Sequence, residues 1–270
     1  MALSLIFDVM PEQLAQWAAI HELHVPPVDR RAISGLLERM GLADRQASFA
    51  WERKANWLIT GDERIVVGVN ELSGGLRYRL RPIHEEPRSD VTTAESRLEE
   101  LARTFLDRLG RPAGPMTLTK ITYLRVQTTS DNGSRPAPAR LDAGLIFTRT
   151  VDDLPVIGTG GSAMVKIGTD ETVVGGREVW RPIASRGAKV KLRSAQECVE
   201  RLRDRLTAAG TDGEIHVRKA QQAYAELGIE EEQPYLEPCY AFLLETSGGL
   251  VDSKKVEVIP AAETSPVTTA

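Results

Sequence analysis

Apolar positions along this chain switch between two periods, and each switch marks an element. Ile33, Leu36, Leu37 and Met40 recur every three to four residues behind Asp29 and ahead of Gly41, which predicts a capped amphipathic helix. Leu98, Leu101, Phe105 and Leu109 repeat that spacing behind a Thr92/Glu95 capping-box pattern, with Gly110 and Pro112 as the stop. Val199, Leu202 and Leu206 do so again behind Ser194/Glu197, stopped by Gly210. A shorter helix is predicted within residues 1–25, from Pro11 to about Glu22. Between these stretches the period falls to two. Ile65, Val67 and Val69 alternate, Leu118 to Val126 is a long strand, and Val165-Lys166-Ile167 and Thr172-Val173-Val174 flank a Gly168-Thr169-Asp170 hairpin signal.

The pattern also repeats. Glu71-Leu72-Ser73-Gly74-Gly75-Leu76 returns as Glu245-Thr246-Ser247-Gly248-Gly249-Leu250, each copy reading as a hairpin turn in which glycine supplies positive φ. Leu80-Arg81-Pro82-Ile83 matches Trp180-Arg181-Pro182-Ile183, with a proline that ends each strand. The expectation is an α+β protein of tandem units, each one helix packed on an antiparallel β-meander, at 26–87, 90–185 and 190–262. A polar loop at 128–140 interrupts the second unit, and 263–270 reads as a disordered tail. Units this small should pack on one another, since each is near the lower limit for a self-sufficient core.

Leu154-Pro155-Val156-Ile157-Gly158 with its following hairpin, Val179-Trp180-Arg181-Pro182, and Tyr224 with Pro234-Tyr235-Leu236-Glu237-Pro238-Cys239-Tyr240-Ala241-Phe242 carry a family likeness. Over about 90–260 the chain resembles the PepSY-like and peptidase propeptide-type domains. The resemblance implies small α+β modules that bind or inhibit a partner, often a peptidase, with no chemistry of their own.

Composition narrows the classes of function. Of 270 residues, 34 are Lys or Arg and 38 Asp or Glu, so the net charge of -4 argues against bulk-charge binding to nucleic acid. No apolar run approaches the roughly 18 residues of a membrane helix, and Asp8 cuts the first apolar run too early for a secretory signal. A cytoplasmic protein without membrane contact is expected. Cys198 and Cys239, the two cysteines, rule out a disulfide scaffold and a four-cysteine zinc site.

Motifs for chemistry are sparse. Gly158-Thr159-Gly160-Gly161-Ser162-Ala163 formally matches the dinucleotide fingerprint, but the residues after it alternate like a strand where a phosphate site needs a helix N-terminus. His21 and His24 lie three apart and lack a third ligand, with His84 and His216 the remaining histidines. No G-x-S-x-G elbow is present. No cofactor and no metal are therefore expected. Adjacent acids such as Asp152-Asp153 read as solvated pairs. Glu226 and Glu237, beside Tyr224 and Leu236, are better placed for acid–base work, and Trp180, Tyr235 and Tyr240 are the candidate ligand-lining aromatics.

Two functions compete. One is a non-catalytic PepSY-like binding protein that recognises a protein or small molecule. The other is a cofactor-independent isomerase or cyclase of a metabolic pathway, with Trp180, His216, Tyr224, Glu226, Tyr235 and Glu237 converging in a pocket between units.

Overall fold

A computed structural model describes residues 3–12, 15–81, 90–110, 114–127, 137–246 and 253–264. Among the described residues three α-helices form where the apolar stripes predict them. Helix α1 (Arg30–Arg39) starts at Asp29, whose carboxylate accepts the Ala32 N–H at 2.7 Å, and buries Ile33, Leu36 and Leu37. Helix α2 (Glu95–Leu109) buries Leu98, Ala102, Phe105, Leu106 and Leu109 and ends on left-handed Gly110. Its N-cap is Ala94 without a side-chain bond, so Thr92 and Glu95 do not form the expected box. Helix α3 (Ala195–Ala208) does carry the reciprocal Ser194/Glu197 box, an arrangement in which the cap is worth about 1 kcal/mol.

The strands are β1 (Ser4–Phe7), β2 (Trp17–Leu23), β3 (Ala50–Lys54), β4 (Trp57–Gly61), β5 (Val66–Asn70), β6 (Leu76–Arg79), β7 (Met116–Val126), β8 (Ala139–Val151), β9 (Leu154–Gly158), β10 (Ser162–Gly168), β11 (Val173–Val179), β12 (Ile183–Lys191), β13 (Glu214–Glu226), β14 (Tyr235–Thr246) and β15 (Ser253–Pro260). Eight of them make an antiparallel sheet in the order β7-β8-β10-β11-β6-β5-β4-β3. Helices α1 and α2 lie on one face of it, over a core that runs from Ile33 and Leu37 through Leu98 and Phe105 to Phe147 and Val165. The remaining strands build a second sheet around the hairpins of β13, β14 and β15, with β1 parallel to β13 and a separate core beneath α3. Strand β9 joins the two, antiparallel to β8 at one end and parallel to β13 over Tyr224–Glu226.

This architecture replaces the tandem α+β units expected from the sequence. All fifteen strands belong to one hydrogen-bonded network of mixed direction. The reason lies at the meander edges, which would expose unpaired N–H and C=O groups if each unit closed on itself. Instead β6 pairs with β11, β9 with β13, and β2 with both β12 and β14, across all the expected unit boundaries. The N-terminal helix is also corrected, because Trp17–Leu23 is strand β2. With neighbours on both edges, its Ala18, Ala19, Ile20 and His21 are all buried, and the strand loses the alternation that would have revealed it. Gly74 (φ 64°) makes the first Ser-Gly-Gly turn as expected; the second copy at 247–249, most of the 128–140 loop, the segment at Pro82-Ile83, and residues 265–270 of the tail fall outside the described residues.

Candidate functional site

The two halves meet over a cluster of buried charges. Strand β8 carries Leu145, Phe147, Arg149 and Val151 in one inward register, so the arginine enters the core along with the apolar residues. The link between β11 and β12 supplies Trp180 and Arg181, and the end of β13 supplies Glu226. Glu226 Oε2 accepts from Arg149 Nη2 at 2.6 Å, and Oε1 accepts from the Arg181 backbone N–H at 2.9 Å and from its Nη1 at 3.4 Å. Arg149 also donates to the Arg181 carbonyl at 2.8 Å and stacks 5.4 Å from the Trp180 ring centre. Arg181 extends into the β13–β14 loop, donating to the carbonyls of Leu227, Gly228 and Glu231. Arg149, Arg181 and Glu226 are 4%, 0% and 1% exposed, and buried Glu178 adds a second negative charge acting on Arg149. Burial pushes both guanidinium pKa values down while the Glu226 charge draws them back up.

The glycine run makes this packing feasible. Gly158 has φ 111°, and a Cβ there would stand 2.3 Å from the Glu226 carbonyl oxygen. The Gly160 N–H donates to that same oxygen at 3.0 Å. Strand β10 follows at once, so the G-x-G-x-x-A pattern serves close backbone contact in a step between β9 and β10.

A second cluster lies nearby. His21 Nε2 is 3.1 Å from Asp152 Oδ2, which Arg186 also reaches at 3.1 Å. Asp152 and Asp153 form the β8–β9 turn with φ 47° and 64°, a geometry usually reserved for Asn-Gly. Tyr224 sets its ring edge against His21 at 5.3 Å and donates to the Ala19 carbonyl at 2.8 Å. Burial lowers the His21 pKa below 6.5 and outweighs the raising effect of Asp152. The unfolded chain therefore takes up this proton first as pH falls below about 6.5, and folded stability drops until the lower folded pKa is passed. The stability advantage of the wild type over His21→Gln should shrink as pH is taken from 7.5 to 5, measured by urea midpoints. A gap that stays constant or widens would contradict this sign.

The structure places the other sequence candidates unevenly. Trp180 and Glu226 meet in the charged junction, with Tyr224 two residues away on β13. Glu237 stands opposite Ala225, and Tyr235 pairs with Glu22 of β2. His216 sits ten residues before Glu226 on the same strand, roughly 30 Å away, with Nδ1 4.0 Å from Asp8. Tyr240 is fully buried, stacked on Phe242 in the core beneath α3. The six proposed enzyme residues thus do not share one pocket. Burial pushes the thiols of Cys198 and Cys239 up to about 11 and about 12, which keeps both protonated at neutral pH. His84 lies outside the described residues, among which no three His, Cys, Asp or Glu side chains converge as metal ligands. No described helix is long and apolar enough to cross a membrane. An open groove of about 470 Å³ on α3 is lined mainly by charges of both signs, including Arg193, Glu197, Arg201 and Asp204.

Sequence reasoning passed over Arg149, and Asp152, expected as half of a solvated pair, instead holds His21 and Arg186. The inward register of Arg149 on β8 was the available signal; the turn role of Asp152 had none beyond its neighbour.

No protein-family model matches the chain, and a search of curated proteins returns no relative. Among solved structures, the chain resembles an uncharacterized protein from Eubacterium rectale ATCC 33656, with a TM-score of 0.50 and 9% identity over 92% of this chain and 84% of that one. A likeness at that identity is one of fold.

Proposed function

We propose that this protein is a non-catalytic binding protein that holds a protein partner or a small ligand without transforming it. One observation carries the reading. Glu226, the acid best placed for proton transfer, is 1% exposed and gives both carboxylate oxygens to Arg149 and Arg181. A general acid or base must be within hydrogen-bond reach of a substrate proton, and this carboxylate is already fully engaged. Trp180, the aromatic beside it, is covered by Arg149. The cluster acts as a fastening between the two halves and supports no turnover. The resemblance to PepSY-like and propeptide-type domains adds a peptidase as one class of partner.

The test is native mass spectrometry of protein purified gently from its own host, paired with incubation of a substoichiometric amount in a small-metabolite extract. A stoichiometric ligand or co-purifying protein, with no metabolite consumed beyond one equivalent, is the expected result. Multiple turnovers of any metabolite would overturn the proposal.

A further inference from the structure

The face of the eight-stranded sheet opposite α1 and α2 carries one row of positions across all eight strands. In register these are Glu52, Ile59, Gly68, Arg77, Arg177, Met164, Ile146 and Lys120. Arg77 and Arg177 stand directly opposite each other on the antiparallel pair β6–β11, which puts their Cβ atoms about 5 Å apart. Both are exposed. Like charges so placed destabilise a sheet, and among the described residues little offsets them. Among the described residues Arg77 forms an ion pair with Glu230 at 3.7 Å, both side chains more than half exposed, and Arg177 forms none. In the next row Arg79 and Lys166 flank Gly175, a position with no side chain. Arg79 donates to the Glu63 carbonyl and leaves its buried Nε without a hydrogen-bond partner. Asp142, which acts on Lys166, is the acid facing that end of the group.

We infer that this face binds an extended acidic segment of a partner protein, with one carboxylate clamped by Arg77 and Arg177 and the next by Arg79 and Lys166. The inference rests on the binding-protein reading and names its partner chemistry. Spacing supports it, because Arg77 and Arg79 are two residues apart on a strand, roughly 6.8 Å. Acidic residues at alternate positions of an extended chain repeat at the same pitch. Single-stranded nucleic acid fits less well. It needs open aromatic faces, and Trp57, the aromatic on this face, lies over Gly68, whose Cβ would be 3.2 Å from the ring, and is capped by Arg77 at 5.0 Å.

The experiment is fluorescence anisotropy at low and high salt with three labelled probes. These are a heptapeptide alternating Thr and Glu, its Gln counterpart, and a ten-residue oligothymidylate. The Glu peptide should bind about tenfold or more tighter than the Gln peptide and weaken with salt. Arg177→Gln should lower its affinity by about tenfold, while the melting temperature holds or rises because the opposed charges are gone. Equal binding of the two peptides, an unaffected Arg177→Gln variant, or binding of the oligothymidylate in place of the peptide each overturns the inference. If the face fails these tests while host-purified protein still carries a stoichiometric partner, the binding-protein reading stands without this face.

Discussion

Glu226→Gln is expected to cost the folded state about 3–5 kcal/mol, the range for removing one partner of a buried ion pair. The amide keeps the shape of the side chain but loses the charge. Its nitrogen must then face a donor, either Arg149 Nη2 or the Arg181 N–H, where the carboxylate now accepts from both. Of two guanidinium groups with almost no solvent contact, Arg149 would be left with buried Glu178 as its counter-charge and Arg181 with the exposed Glu231. A surface pair gives the comparison. Arg97 and Glu100 sit one turn apart on α2 at 2.9 Å, both side chains about half exposed, and Glu100→Gln should barely move the unfolding midpoint. Urea unfolding measures both, with an unchanged slope as the check that only stability moved. A Glu226→Gln midpoint shift no larger than that of Glu100→Gln would show that the junction is not the fastening described above.

Gly158→Ala should cost about 2–6 kcal/mol, from backbone strain and overpacking together. The φ of 111° is one that alanine rarely adopts, and the new methyl would meet the Glu226 carbonyl oxygen at 2.3 Å. That obstacle is backbone inside a sheet and cannot swing aside. Gly110→Ala isolates the first contribution, since Gly110 also has positive φ (66°) but nothing within 4 Å of the added carbon, so roughly 1–2 kcal/mol is expected there. Equal losses from the two substitutions would mean that the close approach at Glu226 contributes nothing.

What the sequence made legible was local. The Ser194/Glu197 box formed because both partners lie within one turn of each other. The glycine run could be rejected as a nucleotide site because the residues after it alternate, and those residues form strand β10. Elements whose state is decided by distant neighbours were not legible. Strand β2 has the alanine-rich composition of a helix and becomes a strand only because β12 and β14 flank it. The continuity of the sheet was hidden for the same reason, since nothing in β6 announces β11 as its neighbour. Glu226 was noticed as a placed acid, but its partners lie 77 and 45 residues away, and their approach depends on the β9–β13 pairing. Arg149 could have been found, because a charge at an inward position of a long alternation demands a buried counter-ion.

The seating of β1 and β2 in the second sheet sets a timetable for synthesis. Every residue of the core beneath α1 and α2 falls between Val28 and Val173, so that half can condense from neighbouring stretches as they leave the ribosome. The first two strands cannot. Ala15 is held by both amide atoms of Gln222, 207 residues later, and at about 5–20 residues per second the wait between the two is roughly 10–40 s. For most of that interval β1 and β2 lack their sheet neighbours, β2 until β12 emerges and β1 until β13, and the last strands to emerge find theirs already waiting.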